Sequence, residues 1–230
     1  MRQLHIYLPD LQKISCLTDV IVPAPITAFV GGGGKTSSML TMGTELAQHG
    51  KQTILTTTTR IYPFEQPLPE RLRCVGLPAQ QGKLRGVDDP DALKQDCDFL
   101  LIEADGSRGL PIKAPAAHEP VLTQQTGLVI AVMGLTGIGK PIAQVCHRPE
   151  RVCEVLSMTP EQCITPEAAA ALLLHESGLR KDVHQRRFAV ILNQADSRKE
   201  KEAGACIAAC LPDAIPCILT TYREETICEY

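Results

Sequence analysis

The 230-residue chain has almost no aromatic residues: 3%, made up of four Phe, four Tyr and no Trp. Its interior therefore has to be built from Leu, Ile, Val and Ala. At 44% hydrophobic content there are enough of them for a sizeable core. Long apolar runs are missing as well, and none approaches the ~20 residues of a membrane span. The opening stretch, MRQLHIYLPDLQKISCL, is interrupted by Asp10 and other polar positions, unlike a secretory leader. Charge of one sign is not concentrated: the formal net charge is -3 and no Lys/Arg block occurs. That argues against nucleic acid or an anionic membrane as a partner. Repeats and low-complexity segments are absent too. These features fit a cytoplasmic protein, and the length fits a single domain spanning 1–230.

Cysteine is plentiful, with ten in all, yet no C-x-x-C and no zinc-ribbon spacing appears. Most are read as small buried apolar residues in a reducing compartment, without disulfides. The alternative is that one of them handles redox or chalcogen chemistry.

What is present is a regular alternation of apolar runs and helical patterns. The segments ITAFV (26–30), QTILTTTTR (52–60), DFLLIEADGSRG (98–109), GLVIAVMG (127–134), RFAVILNQAD (187–196) and AIPCILTTY (214–222) read as strands. Segments 35–50, 165–178 and 199–212 read as helices, the second from a Thr165 cap to a Gly178 stop. Continuous apolar strands, not alternating ones, are those of a parallel sheet covered on both faces. The expected fold is α/β: three layers, a mainly parallel sheet with helices on both faces. Residues 1–25 form a lead-in closed by VPAP, and 61–97 a Pro-, Gln- and Gly-rich irregular insertion.

The sequence FVGGGGKTSS joins the first core strand to a helix. A polyphosphate needs inward N–H groups, a lysine, a hydroxyl for Mg²⁺ and a helix N-terminus behind them. Gly31, Gly32, Gly33 and Gly34 supply the backbone cradle, Lys35 the charge and Thr36 the hydroxyl. The usual pattern G-x-x-x-x-G-K-[ST] asks for glycine at position 29, where this chain has Phe29. A shorter cradle from Gly31 to Thr36 keeps the essential parts. GLTGIGKP (134–141) satisfies G-x-x-x-x-G-K but ends in Pro141, which has neither hydroxyl nor N–H. It reads as a loop at a strand end, with Lys140 either reaching the ligand crevice or simply solvated.

Three further stretches complete a candidate nucleotide site. Glu103 and Asp105, two apart on one strand, point to the same face. Asp105 is expected to hold Mg²⁺ with Thr36, Glu103 to orient water, and Arg108 to neutralise phosphate charge as an arginine finger does. TTTTR (56–60) is either β-forming filler or a set of hydroxyls for phosphate oxygens. Asn193 and Asp196 in LNQAD stand where N-K-x-D reads guanine in GTPases, with Gln194 in place of the lysine, so both ATP and GTP stay open. His118–Glu119 and the histidine of CHRPER read as loop histidines, or as a metal-binding or acid/base pair in the first case.

Taken in order, FVGGGGKTSS, TTTTR, IEADGSRGLPIKAP, HEP, GLTGIGKP, HRPE and LNQAD span residues 29–196, and the chain resembles the YqeC family. That resemblance implies a P-loop NTPase-like fold and an accessory role in the maturation of selenium-dependent molybdenum hydroxylases or their cofactor. The implied activity is Mg²⁺-dependent binding and hydrolysis of ATP or GTP. Its alternatives are nucleotidyl or phosphoryl transfer to the molybdopterin cofactor or a selenium donor, and a non-enzymatic selenium carrier.

Overall fold

A computed structural model describes residues 4–64 and 67–223. The strands, in chain order, are β1 (His5–Tyr7), β2 (Lys13–Ile14), β3 (Ile26–Gly31), β4 (Thr53–Thr57), β5 (Arg60–Ile61), β6 (Leu72–Cys74) and β7 (Leu77–Pro78). They continue with β8 (Leu84–Arg85), β9 (Phe99–Glu103), β10 (Ile112–Lys113), β11 (Leu128–Gly134), β12 (Cys146–His147), β13 (Arg187–Asn193) and β14 (Cys217–Thr221). The helices are α1 (Lys35–Gln48), α2 (Ile142–Val145), α3 (Pro149–Leu156), α4 (Pro166–Leu174) and α5 (Arg198–Ala209).

Nine strands form the main sheet in the order β2-β1-β14-β13-β11-β3-β9-β4-β6. From β14 to β6 every neighbour is parallel, while β1 and β2 add an antiparallel edge. The strand that feeds the glycine loop, β3, lies at the middle, between β11 and β9.

The apolar runs feed two layers by simple parity. In β3, Phe29 joins Met39, Met42 and Leu46 of α1 on one face. Its neighbours Ala28 and Val30 join Val152 of α3, Leu172 and Leu173 of α4, and Ile207 of α5 on the other. Along β11, Leu128, Ile130 and Val132 serve the first cluster, and Val129, Ala131 and Met133 the second. The result is the three-layer α/β arrangement. No helix of the described residues is long and apolar enough to cross a membrane.

Local signals set the ends of elements, with some departures from expectation. Thr165 accepts from the Ala168 N–H as the α4 N-cap, and Ser197 with Glu200 builds a capping box on α5. The α4 helix ends at Leu174, earlier than Gly178: His175 turns extended and the Leu179 N–H closes back on Leu172 O. Pro149 is the first residue of α3, where its missing N–H costs nothing. The lead-in supplies β1 and β2, and the 61–97 insertion supplies β6 at the sheet edge, because both carry unsatisfied strand edges that the main sheet can pair. The cysteines depart most: of the nine described, only Cys146 and Cys217 are buried, and both thiols are pushed up to about 12 by burial. All nine are free; Cys228 lies outside the described residues.

Candidate nucleotide site

The glycine loop begins where β3 ends. Phe29 is wholly inside that strand, paired with Glu103 and sealed in the core, so position 29 is not part of the loop. The loop proper starts at Gly31, with φ 101°; a Cβ there would lie 2.2 Å from Val132 O on the neighbouring strand. Gly34, with φ 127°, is equally constrained, since a Cβ would meet Asn193 Nδ2 at 2.1 Å. Backbone conformation and close packing thus both demand glycine at these two positions.

Its backbone donors are partly spent. The Gly32 N–H donates to Val132 O at 2.9 Å and the Gly33 N–H to Leu110 O at 3.0 Å. The Gly31 N–H donates to both oxygens of Asp105, at 3.1 and 3.0 Å. The first turn of α1 keeps its own N–H groups without intrahelical partners. The turn 106–111 therefore lies directly against the glycines, tied down through Leu110.

Lys35 is folded inward and only 3% exposed. Its ammonium donates to Gly31 O at 2.6 Å and stands 3.2 Å from Asp105 Oδ1 and 3.8 Å from Glu103 Oε1. Thr36 Oγ1 donates to Glu103 Oε2 at 2.5 Å. Burial raises Glu103 above the ordinary carboxylate range, against the lowering effect of Lys35 and the Thr36 hydroxyl. The two predicted carboxylates do converge on Lys35, but their surroundings differ. The carboxylate beside Thr36 is Glu103, not Asp105. Asp105 is completely buried, with Oδ1 facing Lys35 and Oδ2 lying 3.1 Å from Lys113 Nζ.

Lys113 extends this pairing. It is 0% exposed and also bonds Glu119 Oε2 at 2.7 Å and Gly106 O at 2.8 Å. Glu119 in turn accepts from Arg148 at 2.7 and 3.4 Å. Although burial opposes its ionisation, hydrogen bonds and charge from Lys113, with the Arg148 hydrogen bond, hold Glu119 down at about 2. Charges of alternating sign thus run from Lys35 through Asp105, Lys113 and Glu119 to Arg148. Each buried ion has a partner on both sides, which is what makes such burial tolerable. His118, beside Glu119 in sequence, is exposed and shares no hydrogen bond with it; the pair is not an acid/base unit because Glu119 faces inward to Lys113 and Arg148.

On the other side of the loop, Asn193 is a clamp. Its Nδ2 donates to Gly33 O at 2.7 Å and its Oδ1 accepts from Thr220 at 2.8 Å. Gln194 takes φ 64° and accepts from Thr136 at 2.5 Å. Asp196 accepts from Thr221 at 2.6 Å and stands 3.7 Å from Arg223 Nε. Between the glycines and this segment lies a cavity of about 230 Å³, lined by Gly33, Gly34, Ser37, Asn193, Asp196 and Tyr222, among others. Tyr222 spans it to α1 by bonding Thr41 and Ser37 O.

The remaining candidates disperse. Arg108 is exposed at φ 51° and makes no hydrogen bond or ion pair with a described residue. Lys140 is exposed, and its backbone is tied to Gly137 and Ile164. The threonine cluster is mainly structural: Thr57 bonds Glu103 O at 2.9 Å and Thr56 bonds Val75 O at 2.8 Å. Lys113, Glu119 and Arg148 were not singled out as partners by the sequence. Lys113 and Arg148 were signalled only by a charge within the motifs IKAP and HRPE, and Glu119 only as a neighbour of His118 in HEP.

Thr36 and Glu103 offer hard oxygen donors side by side, which fits Mg²⁺ bound by one carboxylate, a hydroxyl and substrate phosphates. Among the described residues no group of three or more His, Cys, Asp or Glu is arranged to hold a metal by itself.

Comparison with known proteins follows the same residues. Residues 27–150 match the family model described as YqeC protein. The chain is 34% identical over 183 residues to a protein of Escherichia coli (strain K12) described as "Uncharacterized protein YqeC", covering 70% of this chain and 72% of that one. Among solved structures, a crystal structure of FtsY from Mycoplasma mycoides aligns with a TM-score of 0.42 and 16% identity, over 83% of this chain and 58% of that one.

Proposed function

Since the chain belongs to the YqeC family, we propose that it binds a Mg²⁺-nucleoside triphosphate at residues 31–36 and hydrolyses it in support of another protein's maturation. One observation carries this reading. The Thr36–Glu103 hydrogen bond of 2.5 Å sits at the N-terminus of α1, next to a buried lysine and behind four glycines. Hydroxyl, carboxylate and ammonium at one helix N-terminus are complementary to a metal-bound polyphosphate. Glu103 and Thr36 would hold the metal, which neutralises phosphate charge when bound. Lys35 exchanges Gly31 O for phosphate oxygens. Asp105 anchors Lys35 from below and does not reach for the metal, since both its oxygens are engaged. The base enters the cavity between Gly34 and Asp196, where the free lone pairs of Asp196 favour a base edge carrying N–H donors; ATP and GTP are both to be tried.

The served protein, a selenium-dependent molybdenum hydroxylase or its cofactor, rests on the family resemblance. Transfer of the phosphoryl or nucleotidyl group to an acceptor is the second reading, supported by the unspent Arg108 in the turn whose Leu110 packs on the glycine loop. Isothermal titration with ATP and GTP, with and without Mg²⁺, on wild type and Lys35→Ala tests the binding step. Binding lost in the variant supports it; no binding to wild type, or equal binding to both, overturns it. Release of phosphate or of pyrophosphate separates hydrolysis from nucleotidyl transfer.

A further inference from the structure

The charge chain ends at a group that the nucleotide reading leaves unused. His147 is directly opposite Lys113 in the parallel pair β10–β12. It is only 7% exposed, and its ring makes no hydrogen bond with any described residue. Its nitrogens are not among the fully buried polar atoms that lack a partner, so the polar edge of the ring stays open to solvent. Every charged neighbour but one is already committed. Lys113 is held by Asp105 and Glu119, and Arg148 by Glu119. Arg108 is the exception: it is exposed, uncommitted, and held in a left-handed conformation that a non-glycine residue adopts at some cost.

These groups act on one another. Burial lowers the proton affinity of His147, and the charges of Arg148, Lys113 and Arg108 lower it further; Glu119 works in the opposite direction. Burial and these cations disfavour a proton on the ring and favour an anion beside it. The imidazole and a free guanidinium together offer donors to a group with oxygen acceptors and negative charge. Arg108 also belongs to the turn whose Leu110 carbonyl receives the Gly33 N–H, so that turn packs against the glycine loop.

We propose that Arg108 and His147 form a subsite for an anionic second substrate, one presenting a carboxylate or phosphate group beside the nucleotide. Calling this substrate the second one rests on the nucleotide reading; the anion site itself does not. The His147 ring shares a proton with the bound oxyanion and Arg108 pairs with its charge.

The test follows the histidine ring signals by NMR across pH, with His147 identified by its absence in His147→Gln. The probes are inorganic phosphate and acetate, each against chloride at matched ionic strength. An anion at hydrogen-bonding distance favours the imidazolium, so the His147 midpoint is expected to rise by about one unit. Arg108→Ala should lose this rise and Arg108→Lys should keep part of it. A rise with phosphate alone, with acetate alone or with both supports the site and identifies the group it takes. An unchanged midpoint with both anions, or an equal rise in Arg108→Ala, overturns it. Lys35→Ala separates the two readings: it should lose nucleotide binding while retaining the His147 response, so either can fail without the other.

Discussion

The Lys113 ammonium and the Asp105 carboxylate lie 3.1 Å apart, and neither side chain is exposed. A buried carboxylate between two lysines, Lys113 and Lys35, ties the glycine loop to the turn after β9. The pair is a support for the loop lysine more than a contributor of net stability, since desolvation of two ions consumes much of their attraction.

Removing Asp105 leaves two buried ammonium groups short of a counter-charge. Asp105→Asn is expected to destabilise the protein by about 3–5 kcal/mol, the range for breaking a buried pair. Urea denaturation against wild type measures it. A change below ~1 kcal/mol would mean that the lysines find other partners.

Glu119 carries a pH signature. Its folded value, about 2, lies below the ordinary 4.5. A depressed carboxylate contributes stability above the unfolded value and loses it as pH falls towards the folded one. Stability should therefore decline from pH ~5 down to ~2, with a contribution on the order of 3 kcal/mol at neutral pH. Glu119→Gln should flatten that decline; urea midpoints at pH 7 and pH 3 for both proteins decide.

Glu103 has the opposite sign. Burial raises it, so its ionisation costs stability as pH rises from the unfolded value through the folded one. Glu103→Gln keeps an acceptor for Thr36 and removes the charge. The variant should be as stable as wild type or more so at pH 8, yet lose the Mg²⁺ dependence of nucleotide binding. Thermal melts at pH 5 and pH 8, joined to titration with and without Mg²⁺, test both halves.

Two glycines separate packing from mere turn composition. Gly31→Ala drives a Cβ to 2.2 Å from Val132 O, a backbone atom that cannot rotate away. It should cost several kcal/mol, on the order of 3, and weaken nucleotide binding. Gly106→Ala meets nothing within 4 Å and should change stability by less than ~1 kcal/mol. Comparable melting temperatures for the two variants would contradict the close approach described here.

The glycine loop was legible because its signal is local. Strand, glycines, Lys35, Thr36 and helix follow one another within a dozen residues, and the apolar runs around them set the layer order by parity. Phe29 shows the limit of pattern matching: a fixed spacing asks for glycine there, but the strand simply runs two residues further before the loop begins. Asn193 was legible as a site residue, while its work as a clamp on Gly33 was not, because the two are 160 positions apart.

By itself, the sequence determined the α/β class, the parallel core strands, the order of glycines, Lys35 and Thr36 between strand and helix, and the convergence of Glu103 with Asp105. Periodicity and short-range backbone preference are properties of neighbouring residues. Only the tertiary structure decided which acid meets Thr36, which is sealed beneath Lys35, and that Lys113, Glu119 and Arg148 join three distant motifs in one line of charge. Pairing of buried ions depends on distance in space and on exclusion of water. Neither quantity is written in the spacing of residues along a chain.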